Sequence, residues 1–152
     1  MRLWRISNHA DLSGEGGRLV DGRWHPRGLP VVYLAEHPAL ALLEHLVHLE
    51  IDLADLPEDY QLLEVDVPDG FAIERITAED LTALAPEWPR NGELTQRLGG
   101  DWLHSQRSPL LGVPSVILPR STNFLLNSSH PDASRAAIAS ATRPPYDHRL
   151  FG

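Results

Sequence analysis

The spacing of apolar and polar residues changes period several times along the chain, and each change predicts an element. Arg2 to Ile6 reads as a short strand. Pro30-Val31-Val32-Tyr33-Leu34-Ala35 is β-branched and apolar, the pattern of a buried strand. From Tyr60 to Val67 the period is two. Leu63, Val65 and Val67 fall on one face and Glu64 and Asp66 on the other, which predicts a half-exposed antiparallel strand. Leu110 to Leu118 is a further strongly apolar strand, interrupted at Pro114-Ser115. The tail from Arg135 to Phe151 reads as two short strands around Arg143-Pro144-Pro145.

Helical spacing fills the intervals. Pro38 suits a first helical position and opens a helix that runs to about Leu49. Leu40, Leu43 and Val47 share one arc of it, and Glu44 and His48 lie side by side at the edge of that arc. Leu42, Leu46 and Leu49 add a second apolar side, which predicts burial over most of the circumference. Thr77-Ala78-Glu79-Asp80 is a variant capping box ahead of a short helix. Leu94, Leu98 and Trp102 at i, i+4, i+8 predict another helix, where Gly99-Gly100 either weakens it or admits close packing. Residues 13–30 carry Gly14, Gly16, Gly17, Gly22 and Gly28 without sustained periodicity, which predicts a loop or an irregular hairpin. The 13 prolines and 11 glycines separate many short elements, so the expected class is a mixed α/β (α+β) domain.

Composition narrows the function. A chain of 152 residues suits one domain, 1–152, and 42% hydrophobic residues can build its core. The 13 Lys+Arg against 21 Asp+Glu give a net charge of −8. That balance argues against general nucleic-acid binding and against docking on an anionic membrane. The absence of cysteine excludes a disulfide scaffold, a zinc ribbon, an iron–sulfur site and a thiol nucleophile. The N-terminus has no apolar signal segment, and the run Ala39–Leu43 is far too short to cross a bilayer. A soluble cytoplasmic protein is the expectation.

Candidate chemistry stands out against the acidic background. Arg18, Arg23, His25 and Arg27 fall within ten residues that hold one acid, Asp21. Arginine forks bind phosphate bidentately, and glycines let backbone N–H groups approach it. The segment is a pyrophosphate cradle or a solvated surface loop. It is neither a dinucleotide-binding GxGxxG nor a Walker loop. Glu44 interrupts a largely apolar helix and is either an exposed edge residue or a carboxylate on a cleft wall. His45 and His48 with Glu44 make Glu-His-x-x-His, not the zinc pattern His-Glu-x-x-His, so a metal is not expected. Tyr33 reads as a core tyrosine with its hydroxyl at the rim. Ser115 lacks a nucleophile elbow and reads as a hydrogen-bonding serine. Asn123 and Asn127, bracketing Phe124-Leu125-Leu126, read as turn residues. The tryptophans Trp4, Trp24, Trp88 and Trp102 are scattered and form no aromatic platform for nucleic acid.

Several fragments, taken in order, resemble one family. They are Leu3-Trp4-Arg5-Ile6, Ser13-Gly14-Glu15-Gly16-Gly17-Arg18, Gly22-Arg23-Trp24, Val31-Val32-Tyr33-Leu34-Ala35-Glu36, Ala39-Leu40-Ala41-Leu42-Leu43-Glu44, Val113-Pro114-Ser115 and Asn123-Phe124-Leu125-Leu126-Asn127. Each is weak alone, but their order and spacing resemble the RES-domain toxins, named for an Arg, a Glu and a Ser. The resemblance runs from residue 2 to about residue 132 and is expected to continue to the end.

It implies a compact domain similar to ADP-ribosyltransferase toxins, with short mixed and antiparallel sheets around an NAD cleft and flanking helices. It implies a toxin that consumes NAD as substrate by cleaving the nicotinamide–ribose bond, through hydrolysis or phosphorolysis. Transfer of ADP-ribose to a specific protein is the alternative, and a non-catalytic antitoxin-binding module is the third. The implied partner is an antitoxin with an Xre-like helix-turn-helix, in a complex where the toxin is a homodimer or part of a higher assembly. The implied catalytic residues are Arg23, Tyr33, Glu44 and Ser115, and the implied NAD contacts are Arg18, Arg23, Tyr33 and Asn123, without a metal. His25 stands where an Asn commonly follows Arg-Trp in the family, and Asp21 replaces a Gly. The chemistry is consistent with these residues. Glycosidic cleavage of NAD passes through an oxocarbenium-like centre that a carboxylate stabilises, and the pyrophosphate needs cationic donors.

Overall fold

The computed structural model describes residues 1–49 and 58–151. Its centre is a seven-stranded sheet of order β4-β5-β6-β2-β1-β3-β7. The strands are β1 (Arg2–Ser7), β2 (Val32–Ala35), β3 (Gln61–Asp66), β4 (Ile73–Arg75), β5 (Leu110–Pro114), β6 (Thr122–Leu126) and β7 (Ala137–Thr142). Only β4 and β5 run parallel. A parallel pair needs a long crossover, and here it holds α3 (Ala78–Leu84), a 3₁₀ turn (Trp88–Arg90) and α4 (Gly92–Ser105).

Alternation along β5 and β6 builds two cores. Leu110, Phe124 and Leu126 join Leu3, Val32, Leu34 and Val65 on one face. Leu111, Val113 and Leu125 join Trp24, Val31, Leu81, Trp88 and Trp102 on the other, beneath α3 and α4. Three of the four scattered tryptophans therefore meet in one core. Every residue of β5 is buried because both faces are covered. The predicted two-fold pattern of β3 is observed, with Leu63, Val65 and Val67 buried while Asp66 is exposed.

α2 (Pro38–His48) begins where Pro38 predicts, with the His37 side chain accepting from Ala39 N–H. The Thr77 capping box at α3 is complete in both directions. Four expectations change. The 13–30 segment contains a short helix, α1 (Glu15–Leu19), entered through Gly14 in the left-handed region. α2 is not buried around most of its circumference. Leu40 and Ala41 are buried, but Leu43 and Val47 are 38% and 62% exposed, and Val47 lines an open cleft. β5 ends at Pro114, since the Ser115 hydroxyl draws in the Ile117 and Leu118 N–H groups and turns the chain. The tail forms one strand, β7, followed by a 3₁₀ turn (His148–Phe151) in place of a second strand.

The joint between β1 and β2 positions the site. A single pair, Trp4 with Ala35, connects them, whereas β1 and β3 are paired over six residues. Beyond that pair the strands diverge, and the sheet opens into a cleft.

Candidate active site

The cleft has a volume of about 520 Å³, within the range of small-molecule sites. Trp4 and Ile6 of β1 and Tyr33 and Ala35 of β2 line it, with α2 on one side and residues of the 16–25 segment on the other. Its two ends carry opposite charge.

At the α2 end stands Glu44. Its Oε1 accepts from the Ser115 hydroxyl at 2.7 Å and from Asn123 Nδ2 at 2.7 Å. Ser115 is fully buried, and its oxygen accepts the N–H groups of Ile117 and Leu118, each at 3.2 Å. The hydroxyl proton is then left for Glu44. Ser115 is thus a fixed donor to the carboxylate. The hydrogen-bonding serine that the sequence predicts therefore gives its proton to Glu44. Asn123 lies within β6 and lines the cleft, so it is not a turn residue. Asn127 does follow the strand into a turn, its Oδ1 accepting from Ser129 N–H. Glu44 Oε2 has no protein donor among the described residues and remains available to a ligand.

At the other end stands Arg23. Its guanidinium donates to the Pro89 carbonyl, and its Nε is buried without a partner. It lines the cleft. Arg18 is placed elsewhere, exposed on α1 and paired with Glu15, and neither it nor Arg27 lines the cleft. The positive run in the sequence is therefore divided, because a short helix and a tight turn send successive side chains in different directions. Arg5 of β1 does line the cleft. Burial holds its pKa below the ordinary arginine value, with Asp11 opposing that shift. Among the described residues its guanidinium has no hydrogen bond or ion pair. The sequence signal for it is a cation set between Trp4 and Ile6 inside a strand.

Tyr33 and His25 join the cleft floor to the glycine segment. The Tyr33 hydroxyl accepts the Trp24 N–H at 3.0 Å and lies 2.7 Å from His25 Nδ1. His25 is 2% exposed. Its Nε2 faces the Gly17 and Val20 carbonyls at 2.9 and 3.1 Å, so the proton sits on Nε2. Burial raises the Tyr33 pKa, and the Trp24 N–H opposes this, so the hydroxyl keeps its proton and can donate it to Nδ1. The hydroxyl is thus tied inside the wall and does not stand at the rim. Gly22 is required here, since a Cβ would collide with both the Tyr33 hydroxyl and the His25 ring.

His45 also lines the cleft, between the rings of Tyr60 and Tyr146. His48 Nδ1 lies 2.6 Å from the Glu44 backbone oxygen, and His45 Nε2 is buried without a partner. Among the described residues no group of three His, Cys, Asp or Glu converges on a metal position, and no helix is long and apolar enough to cross a membrane. The arrangement sets two arginines, Arg5 and Arg23, and one carboxylate, Glu44, around the same cleft.

Comparison with known proteins gives a consistent result. The sequence model of the RES domain matches residues 2–147. The chain is 48% identical over 151 residues to a protein of Pseudomonas putida named "Toxin Res", covering 99% of this chain and 100% of that one. It is 37% identical over 156 residues to the "Prs ADP-ribosylating toxin" of Sphingobium sp., covering 98% and 96%. Among solved structures, the M. tuberculosis MbcT–MbcA toxin–antitoxin complex contains a chain that superposes with a TM-score of 0.72. The match covers 93% of this chain and 82% of that one at 21% identity, which establishes a shared fold.

Proposed function

The chain belongs to the RES-domain family, and from that premise we propose that it is the toxin of a toxin–antitoxin pair and destroys NAD. The observation that carries this reading is the fixed Glu44 carboxylate. Ser115 and Asn123 hold one of its oxygens, and the other faces the same cleft as Arg5 and Arg23.

In this reading the two arginines take the pyrophosphate of NAD as charge-assisted donors. The nicotinamide ribose then lies toward Glu44. The bond from ribose C1′ to the nicotinamide nitrogen breaks, its electron pair leaves with neutral nicotinamide, and C1′ becomes oxocarbenium-like. Glu44 stabilises that charge through space. The stabilisation is large because the carboxylate is already oriented and half-buried beside an apolar helix. Tyr33 bounds the floor beneath the nicotinamide. An acceptor oxygen closes on that carbon: water yields ADP-ribose and releases its second proton to solvent, and phosphate yields ADP-ribose 1″-phosphate. Neither a metal nor a protein nucleophile takes part.

A second reading is transfer to a protein acceptor. It is favoured by the name of the Sphingobium relative and by apolar residues at the cleft mouth, where Val20 and Val47 are 66% and 62% exposed. The partner in either reading is an antitoxin with an Xre-like helix-turn-helix that covers the cleft and competes with NAD. The test is incubation of the purified protein with NAD, with and without phosphate, and mass spectrometry of the products. Nicotinamide release without a protein acceptor supports NAD destruction. Release only when a cell extract is added, with ADP-ribose on a protein, supports transfer. NAD left intact with phosphate, without it and with cell extract added would sink both.

A further inference from the structure

We propose that α4, which contributes no residue to the cleft wall, is the element that positions Arg23, and that Thr95 and Gln96 are its positioning residues. The proposal rests on the reading of Arg23 as the pyrophosphate donor and extends it to the opposite side of the turn.

Three consecutive carbonyls, those of Gly22, Arg23 and Trp24, meet α4. Gln96 Nε2 donates to the Gly22 carbonyl at 2.9 Å. Thr95 Oγ1 donates to the Arg23 carbonyl at 2.7 Å, with a longer contact of 3.2 Å to Gly92 O in its own helix. The Trp24 carbonyl lies against Gly99, where a Cβ would overlap it. Thr95 and Gly99 are one helical turn apart and so share a face. Thr95 is fully buried. The 3₁₀ turn just before α4 supplies Pro89, whose carbonyl takes a guanidinium N–H of Arg23.

These contacts matter because the side chain of Arg23 has little else to direct it. Its Nε is buried and unpartnered, and no carboxylate pairs with it among the described residues. The direction of the guanidinium therefore rests on the Pro89 carbonyl and on the main chain at residues 22–24, both of which the α4 end of the molecule supplies or holds. A buried hydroxyl that only filled space would be replaced by an isosteric valine without consequence. A hydroxyl that sets a peptide plane would not be, because rotating that plane moves the attached side chain at its far end.

The test compares Thr95→Val, Thr95→Ser, Gln96→Leu and Arg23→Ala for NAD affinity, for KM and kcat of nicotinamide release, and for thermal midpoint. The expected result is an about tenfold rise in Kd and KM for Thr95→Val with kcat within about threefold. Thr95→Ser, which keeps the donor, stays near wild type. Gln96→Leu, at a half-buried position that tolerates change, shows a smaller rise of the same kind with an unchanged midpoint. Should Thr95→Val not fold, Gln96→Leu and Thr95→Ser carry the decision. Wild-type KM in the folded Thr95 and Gln96 variants, alongside impaired Arg23→Ala, would overturn the positioning role alone. A neutral Arg23→Ala would overturn the pyrophosphate reading and this proposal with it. A fall in kcat without a rise in KM would also overturn the proposal, since it would place α4 in the chemical step.

Discussion

At one end of the cleft, Glu44 is fixed by two side chains that bond its carboxylate directly, Ser115 and Asn123. At the other end, Arg23 is fixed through its main chain, by Gln96, Thr95 and the close approach at Gly99. The carboxylate end is short in contacts and specific in chemistry. Changing one atom there changes the charged group itself or the hydrogen bond that orients it. The arginine end spreads its constraints over a helix, a turn and a buried histidine, so single changes there act by displacement. A carboxylate that stabilises a transition state needs its orientation fixed, whereas a phosphate donor acts as a fork whose reach tolerates more. The two constructions match the two tasks.

The contrast can be broken most sharply at Glu44. Glu44→Gln keeps the shape and removes the charge. Its expected effect is a loss of about 100–1000-fold in the rate of nicotinamide release, with NAD binding changed far less. Single-turnover cleavage and separate binding titrations distinguish the outcomes. Lost binding with an unchanged rate would make Glu44 a ribose-hydroxyl ligand, and a neutral result would remove it from the chemistry.

Ser115→Ala sharpens the same end. It removes the donor to Glu44 and takes the acceptor from the Ile117 and Leu118 N–H groups in a part-buried turn. We expect a rate loss of about 10–100-fold from the misplaced carboxylate and a stability loss of about 0.5–1.5 kcal/mol from the lost hydrogen bonds. Chemical denaturation beside single-turnover kinetics separates the two, and a wild-type rate would show that Asn123 suffices to hold Glu44.

Tyr33→Phe probes the arginine end through its tie to His25. It deprives the Trp24 N–H of its acceptor and His25 Nδ1 of its neighbour. The expected cost is about 1–3 kcal/mol of stability, together with weaker NAD binding as the Gly22–Trp24 turn loosens. Unchanged stability would mean that the backbone contacts to α4 hold the turn alone.

The smallest effect concerns pH. Burial, and secondarily the neighbouring His48, holds the His45 pKa below the ordinary histidine value. The unfolded chain accepts a proton that the folded site resists. The stability this contributes is present above the ordinary pKa of about 6.5 and is lost as pH falls through it toward the lower folded value. His45→Phe, which keeps a ring between Tyr60 and Tyr146, should flatten the decline in urea midpoint between pH 7.5 and pH 5, as about 6.5 lies between them. An identical slope in wild type and variant would assign the decline to other groups.

Periodicity in the sequence specified the elements that carry strong local signals. The alternation in β3, the proline that opens α2, the Thr77 capping box and the i, i+4, i+8 spacing of α4 all depend on near neighbours, and each is observed where the spacing put it. The charge-bearing groups Glu44 and Arg23 were also legible, one as a carboxylate in an apolar helix and one as a cation in an acidic chain. What sequence spacing could not carry were pairings between distant residues. Ser115 and Asn123 lie 71 and 79 positions from Glu44, and Thr95 lies 72 from Arg23. Which arginines face the cleft was likewise decided only in three dimensions. The short α1 turned Arg18 outward, and the divergence of β1 from β2 brought Arg5 in. Local sequence fixes backbone preference over a few residues, but a side chain's surroundings depend on which strands pair and where a pairing stops. In this chain the pairing of β1 with β2 stops after Trp4 and Ala35, and that opening places Arg5, Arg23, Tyr33 and Glu44 around one cleft.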